Sequence, residues 1–286
     1  NQAAIVFVHG ILGHYRSTWQ GFPFLVTQDS SLNHCDVICW GYPSSMQILP
    51  RLPFMGKRMP SISSVAHALY ADLSNSEIAG NYADLILVGH SMGGLVIMEM
   101  IISALVKPDG DTKLLEHIRH ILFFATPFDG VQLPGVFKVH PQAKDIACDE
   151  GTVNRLRTEW INRVYNVRCD DPPKPGKVYI PATPVLGLED NAVPPRSAAA
   201  FFTNTVTAPG DHCEVCKPQS RDHTSFQTLK NVIMECSLPQ LIRGAERLIS
   251  ANMRIVEQAA EVLFTVGSRS RDERYLRAIE AKLQAN

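Results

Sequence analysis

The chain has 286 residues, of which 45% are hydrophobic and 19% are charged, and its formal net charge at pH 7 is −1. A chain of this length buries a large core and fits one α/β domain, and a net charge so close to zero does not point to nucleic acid as a partner. It contains no run of 18 uncharged apolar residues, which argues against a membrane-spanning helix.

The first predicted element is a strand over residues 4–8, an apolar run that ends in His9 and Gly10. Ligands of open α/β sheets bind beyond the carboxyl ends of the strands, so we expect His9, Gly10 and Leu12 to contact a substrate. The glycine-rich turn leaves backbone amides exposed, and the amide of Ile11 is the candidate oxyanion donor, with Leu12 as its neighbouring candidate. The alternative is a glycine-rich loop without a catalytic role.

A second strand is predicted over residues 36–40, and the loop that follows, 43–59, is rich in methionine and other apolar residues. Such an adaptable set suits contact with a fatty chain, and Phe54 is its aromatic member. The alternative is a loop that folds back into the core. Ser61 then predicts a capped helix that runs to Leu73.

The stretch ILVGHSMGGLVI is the most informative in the chain. Residues 85–88 are typical of a strand buried on both faces, and residues 95–106, without glycine or proline, are typical of a helix. The segment between them must turn sharply, which places Ser91 at the apex with the amide of Met92 beside it. This G-x-S-x-G pattern predicts a nucleophilic serine and an oxyanion donor at Met92. The alternative is a turn whose serine caps the helix.

A strand predicted over residues 121–124 leads to Asp129 and then to a segment, 130–177, that is too long for a plain connection between strands. Within it, TVNRLRTEWINRV has apolar residues at helical spacing. Either this helix belongs to a lid, in which case Trp160 contacts the substrate, or it packs on the core.

A nucleophilic serine needs a histidine base and an acid that orients the histidine. In α/β domains whose nucleophilic serine lies in a G-x-S-x-G turn, the acid follows the serine along the chain, and the histidine follows the acid. Asp190, just after a strand predicted at residues 185–187, is the candidate acid, and Asp129 is the runner-up.

The base is expected after the last strand, which we predict over residues 203–206. His212 directly follows a Pro-Gly turn and is the favoured candidate, because the short excursion from the strand constrains it. His223 is the runner-up, in a polar stretch that also suits a helix start capped by Asp222 or Thr224.

Seven cysteines with scattered spacing are typical of free thiols in a reducing compartment, so we expect a cytoplasmic protein. Cys213 and Cys216 form a C-x-x-C pair, but zinc needs two further ligands and no second pair exists, so we expect no metal. The chain opens on Asn1 without a methionine, and we expect a processed chain or a fragment whose targeting signal is missing.

Five motifs together resemble the α/β-hydrolase superfamily, and more narrowly the group that includes the GPI inositol-deacylase and the serine-active-site-containing lipase-like proteins: FVHGILGHYRSTW, VGHSMGGLV, FFATPFDG, GLEDNAVPPRSA and PGDHCEVCKPQSRDH. The resemblance covers roughly residues 4–230. It implies an α/β-hydrolase fold, with a mostly parallel central sheet and helices on both faces, and a lipid-like ester as substrate. In the narrower group the histidine stands just before a Lys-Pro pair, which supports His212, because Lys217 and Pro218 follow it. The family fold usually begins with further strands, so we expect a minimal or trimmed version.

These residues predict acyl transfer. His212, held by Asp190, takes the proton of Ser91, Ser91 attacks an ester carbonyl, and the amides of Met92 and Ile11 stabilise the oxyanion before water releases the acyl group. No cofactor is required. The alternatives are a weakly active module in a larger interaction or signalling assembly, and an acyltransferase or thioesterase that uses the same residues.

We predict a hydrolase domain over residues 1–237, in which 130–177 is the possible lid, and a helical appendage over 238–286. The appendage packs on the core, forms a dimer contact or leads to a further domain. The expected partners are therefore a small-molecule or lipid ester, a membrane surface in peripheral contact, and a second copy in a homodimer if the chain is not a monomer.

Overall fold

The computed structural model describes residues 3–44, 60–75, 78, 80–107, 112–130, 151–172, 174–193, 202–237, 249 and 252–258. The chain divides into two compact units, Asn1–Cys236 and Ser237–Asn286. In the second unit residues 252–258 are helical, and Met253, Ile255 and Val256 are exposed. Phe54, the expected substrate contact in the apolar loop, lies outside the described residues.

One sheet of six parallel strands organises the first unit, as the predicted fold class requires: β1 (Ala3–Val8), β2 (Cys35–Trp40), β3 (Asp84–His90), β4 (Ile118–Phe124), β5 (Ala182–Gly187) and β6 (Val206–Ala208). Their order across the sheet is β2-β1-β3-β4-β5-β6. From β1 the chain continues to β2 on one side of β1 and then returns to β3 on the opposite side of β1. The direction of winding therefore reverses between β1 and β3. Open α/β sheets bind their ligands at such a point, beyond the carboxyl ends of the strands.

Helices lie between the strands and after the last one: α1 (Phe22–Thr27), α2 (Ile62–Ser74), α3 (Met92–Val106), α4 (Lys113–His117), α5 (Gly151–Trp160) and, after β6, α6 (residues 224–237). A 3₁₀ turn lies at Ser30–Leu32 and a π-helical turn at Ile161–Tyr165. Within the described residues, no helix has both the length and the apolar character that a membrane span requires.

The central strands are mainly apolar, and most of their residues are buried on both faces of the sheet. Along β1, Ala4, Val6 and Val8 belong to one hydrophobic cluster, while Ile5 and Phe7 belong to another. Side chains of a strand point alternately to its two faces, so the two clusters lie on opposite sides of the sheet. The prediction of a doubly covered sheet is confirmed.

The predicted last strand is displaced: the observed strand begins three residues later and ends two residues later. The strand covers Val206–Ala208 rather than 203–206, and the side chain of Asn204 instead donates hydrogen bonds to Ala182 O and Thr183 Oγ1. An amide that pairs with the neighbouring strand in this way replaces the ladder bonds that a strand over Asn204 would make.

The helix predicted around Trp160 is present as α5, and its apolar face is buried. Val153, Leu156 and Trp160 are each at most 2% exposed, and the Trp160 ring packs edge-on against Phe123 of β4. Of the two alternatives for this helix, the structure therefore favours packing on the core. Residues 131–150 of the same segment are outside the described part of the chain.

Candidate active site

Ser91 lies at the sharp turn between β3 and α3. Its φ of 53° and ψ of −125° are rare for a residue with a side chain, and such strain persists only where the surroundings enforce it. The Ser91 amide donates to Phe124 O at 2.8 Å, which ties the turn to the end of β4. The Ser91 hydroxyl makes no capping bond to α3, so the capping alternative is wrong.

Gly93 is what permits a turn of this shape. A Cβ at this position would lie 2.2 Å from Val8 O and 2.6 Å from His9 O, so any other residue would push α3 away from the end of β1. The G-x-S-x-G spacing is thus a consequence of the close approach between the turn and the first strand.

His212 contacts both of the residues that the sequence pairs with it. Its Nε2 is 3.0 Å from Ser91 Oγ, and its Nδ1 is 2.9 Å from Asp190 Oδ2. A carboxylate accepts only, so Nδ1 donates to Asp190, and Nε2 is left to accept the proton of the Ser91 hydroxyl. The Asp190 side chain is fully buried while that of His212 is 24% exposed, so the carboxylate lies inside and the imidazole at the surface.

Asp190 is held in its ionised form by a surrounding set of donors. Burial by itself raises the pKa of this carboxyl, but hydrogen bonds from His212, Val193 and Ala192 outweigh burial and leave the pKa below its usual value. The amides of Ala192 and Val193 both donate to Oδ1 at 2.8 Å. Oδ2 is therefore left for His212, which fixes the direction of the imidazole.

The turn that carries His212 is stabilised by Asp211, which the sequence reasoning did not single out. Asp211 Oδ1 accepts from the amides of Cys213 and Glu214 at 2.7 and 2.9 Å. This is the usual way in which an aspartate caps a short helical turn, and an Asp just before the histidine was the available signal.

The two predicted oxyanion donors have free amides. In the described part of the chain, neither the amide of Ile11 nor that of Met92 donates to another group. The neighbouring candidate, Leu12, donates its amide to Ser44 O at 3.0 Å and is thus already used. Gly10 lies directly against the nucleophile, since a Cβ on it would be 2.8 Å from Ser91 Cβ.

His9, expected to contact the substrate, is instead a support for this loop. It is 1% exposed and stacks on Tyr42 with 4.3 Å between ring centroids. Its Nε2 accepts from the Tyr42 amide, its Nδ1 donates to Gly10 O, and the Tyr42 hydroxyl donates to His9 O. Both ring nitrogens are therefore occupied, and burial lowers the pKa of His9 and keeps the ring neutral. Tyr42 was missed because no local motif marks it.

The runner-up residues make other contacts. Asp129 forms an ion pair with Arg157 of α5. His223 stands just before α6, and its Nδ1 accepts from the amide of Ser225 at 3.2 Å. The stretch is thus a helix start, as the alternative interpretation proposed, but His223 rather than Asp222 or Thr224 caps it.

Within the described ranges, no cluster of three metal-binding side chains occurs. Cys213 and Cys216 are both free thiols; Cys213 is exposed, whereas burial raises the pKa of Cys216 to about 12.

A family model described as "Alpha/beta hydrolase family" matches residues 5–232. Protein SERAC1 of Danio rerio is 24% identical over 252 residues, covering 77% of this chain and 37% of that protein. Protein SERAC1 of Homo sapiens is 21% identical over 267 residues, covering 82% and 39%. The chain thus spans less than two fifths of the length of these relatives. The fold is similar to that of the mature lipase BlEst2 of Bacillus licheniformis, with a TM-score of 0.50 and 15% identity over 76% of this chain and 87% of that one.

Proposed function

Because the chain belongs to the alpha/beta hydrolase family, we propose that it is a serine hydrolase that cleaves carboxylic esters through an acyl-enzyme on Ser91. The observation that carries the proposal is the pair of hydrogen bonds made by His212, 3.0 Å to Ser91 Oγ and 2.9 Å to Asp190 Oδ2. A nucleophile, a base and an orienting acid in this geometry are the parts that acyl transfer needs.

In the first step His212 Nε2 takes the proton of Ser91 as Oγ attacks the ester carbonyl. The imidazolium that forms is stabilised by the buried Asp190 carboxylate, and it then gives the proton to the departing alcohol. Water attacks the acyl-enzyme in the second step, again with His212 as the base, and releases the acid and free Ser91.

The oxyanion of the tetrahedral intermediate is assigned to the amides of Met92 and Ile11. Support comes from their lack of other acceptors among the described residues and from the position of Met92 at the N-terminus of α3, where the helix dipole favours negative charge. Loss of one such donor typically lowers turnover by about a hundredfold to a thousandfold.

An ester with an apolar acyl side is the substrate class that we propose. Leu12 and Leu188 follow β1 and β5 at the edge of the sheet that holds Ser91, and they are 49% and 65% exposed. Exposed leucines at the sheet edge that also carries Ser91 favour a lipid-like substrate and peripheral contact with a lipid surface. The similarity of the fold to a lipase agrees with this assignment.

The direct test is labelling of the full chain by a fluorophosphonate probe, which reacts with activated serines. We expect the wild type to be labelled, Ser91→Ala to remain unlabelled, and Asp190→Asn to react about 10⁴-fold more slowly. Hydrolysis of p-nitrophenyl esters of increasing chain length then measures the preference for an apolar acyl group.

Two matched pairs of variants test the assignment of the base and of the acid. His212→Asn is expected to abolish labelling while His223→Asn, which retains an N-cap for α6, is not. Likewise, Asp190→Asn is expected to slow labelling, whereas Asp129→Asn is not. A folded wild-type protein that stays unlabelled would contradict the proposal and favour the weakly active module. A burst of p-nitrophenol followed by slow turnover, which an added alcohol acceptor accelerates by taking the acyl group from Ser91, would favour an acyltransferase.

A further inference from the structure

The residue that precedes the nucleophile also contacts the base. His90, the last residue of β3, lies with its Nε2 2.8 Å from the backbone carbonyl oxygen of His212. A carbonyl only accepts, so Nε2 of His90 carries a proton and donates it. His212 is thereby held at two points by consecutive residues: its side chain contacts Ser91 Oγ, and its backbone contacts His90.

The hydrogen bond to His212 is the single polar contact of the His90 ring in the described structure. His90 is 7% exposed, and its Nδ1 is buried without a hydrogen-bond partner among the described residues. The ring lies between Trp19, at 6.1 Å between centroids, and His212, at 5.1 Å. A purely apolar ring would fill this space without burying an unpaired nitrogen, so packing alone does not account for a histidine here.

The surroundings keep His90 uncharged. Burial and the neighbouring His212 ring lower the pKa of His90 to about 3, and Lys217 acts in the same direction. The hydrogen bond to the His212 carbonyl and the charge of Asp190 oppose this shift without reversing it. The ring is therefore neutral wherever His212 works as a base. A neutral donor orients the His212 backbone without adding a positive charge beside the imidazolium that forms during the reaction.

We propose that His90 is a positioning residue for the base: its Nε2–H holds the His212 carbonyl so that the His212 imidazole stays within reach of Ser91 Oγ. This inference rests on the proposed function, because it concerns the efficiency of the same acyl transfer. Misplacing a reacting group by about 1 Å costs about a hundredfold in rate. The loop that carries His212 is 122 residues away from His90 along the chain. Its position relative to Ser91 is therefore not fixed by chain connectivity, and the hydrogen bond from His90 supplies a direct restraint on it.

Three substitutions separate the donor from the shape of the ring. His90→Gln keeps an amide donor at about the distance of Nε2, and His90→Asn carries the same amide one methylene short of it. His90→Phe keeps a ring but has no donor. The test for each full-length variant is to determine kcat and KM for p-nitrophenyl butyrate, the rate of fluorophosphonate labelling and the melting temperature.

We expect His90→Asn and His90→Phe to lose about tenfold to a hundredfold in kcat and in labelling rate. KM is expected to stay near the wild-type value, because His90 is buried away from the substrate. His90→Gln is expected to retain most of the wild-type kcat. If His90→Phe does not fold, the difference in kcat between His90→Gln and His90→Asn tests the proposal.

Wild-type kcat in a folded Asn or Phe variant would overturn the proposal, as would equal losses in the Gln and Asn variants. A change in melting temperature without a change in kcat would assign His90 to packing alone. Failure of the proposed function is recognised separately, because the wild type itself would then remain unlabelled at Ser91.

Discussion

Gly10 determines how closely the first loop approaches the nucleophile. A Cβ on Gly10 would lie 2.8 Å from Ser91 Cβ, 2.9 Å from His90 O and 3.3 Å from Ser91 Oγ. Backbone and Ser91 must therefore move apart if alanine replaces glycine. We expect Gly10→Ala to lower kcat by at least about tenfold, since a shift of the loop carries the Ile11 amide away from the oxyanion.

Gly21→Ala is the matched control for this prediction. Nothing lies within 4 Å of a Cβ at Gly21, and its φ of −77° suits any residue. Kinetics on p-nitrophenyl butyrate and thermal melts compare the two variants. Equal activities for Gly10→Ala and the wild type would show that the loop tolerates the displacement and would remove Ile11 as a donor.

At the scale of single residues, sequence predicted the side chains that stand at the ends of strands and missed those that act across the chain. Ser91, Asp190 and His212 were recognisable because each follows a strand and each belongs to a residue type with known chemistry. His90 and Tyr42 make their contacts over 122 and 33 residues, respectively, and only the folded chain brings such partners together. His9 was misjudged for the same reason, since its stacking partner was unknown.

Helix α5 tests whether the inserted segment supports the core or contacts the substrate. Trp160 is 1% exposed and packs on Phe123, so Trp160→Ala should lower the free energy of unfolding by about 3–5 kcal/mol. KM should be unchanged at temperatures where the variant is folded. Urea unfolding and ester kinetics measure the two effects.

Tyr179→Ala is a suitable control for this substitution, because Tyr179 is 45% exposed and its loss should cost much less stability. A Trp160→Ala variant with raised KM and undiminished stability would contradict the core role and restore the lid interpretation.

An ion pair links helix α6 to the segment after α1: Lys230 Nζ lies 2.8 Å from Asp29 Oδ2. The hydrogen bond from Lys230, followed by that from Ser31, lowers the pKa of Asp29 to about 2 from 3.8. Because the folded-state pKa is depressed, the pair stabilises the fold above the unfolded pKa and is lost as pH falls through about 2.

We therefore expect Lys230→Met to destabilise the fold by about 1 kcal/mol at neutral pH and by progressively less as the pH falls from about 4 toward 2. Denaturant unfolding of Lys230→Met, Asp29→Asn and the double variant isolates the coupling energy between the two side chains. A coupling energy that is the same at both ends of this pH range would mean that the two charges do not interact.

At the scale of elements, the sequence predicted the buried strands best, because a short apolar run bounded by turn residues is typical of a strand buried on both faces. The short β6 was displaced because Asn204 bonds to the adjacent strand through its side chain, which no pattern within the run reveals. Helix α1 was missed since six residues, FPFLVT, are too few to show a helical period.

At the scale of the molecule, the order of the strands explains where the site lies. The winding reverses between β1 and β3, and these two strands end in the loop with Ile11 and in Ser91. Asp190 and His212 follow β5 and β6 at the same edge, so four separate connections deliver their residues to one place. This convergence was predictable once the alternation of strands and helices was recognised, whereas the distances within the site were not.

The same architecture predicts how much of the chain the site requires. Helix α6 buries Phe226, Leu229 and Ile233 in the cluster on one face of the sheet, so a chain that ends after residue 237 should retain the fold, and one that ends after residue 223 should not. We expect the first fragment to react with a fluorophosphonate at the wild-type rate and the second to be unfolded by circular dichroism and unlabelled. Light scattering of the full chain and of the longer fragment would show whether residues 238–286 join two copies. Loss of labelling in a folded 1–237 fragment would mean that the appendage completes the site, and the proposed boundary between the domains would then be wrong.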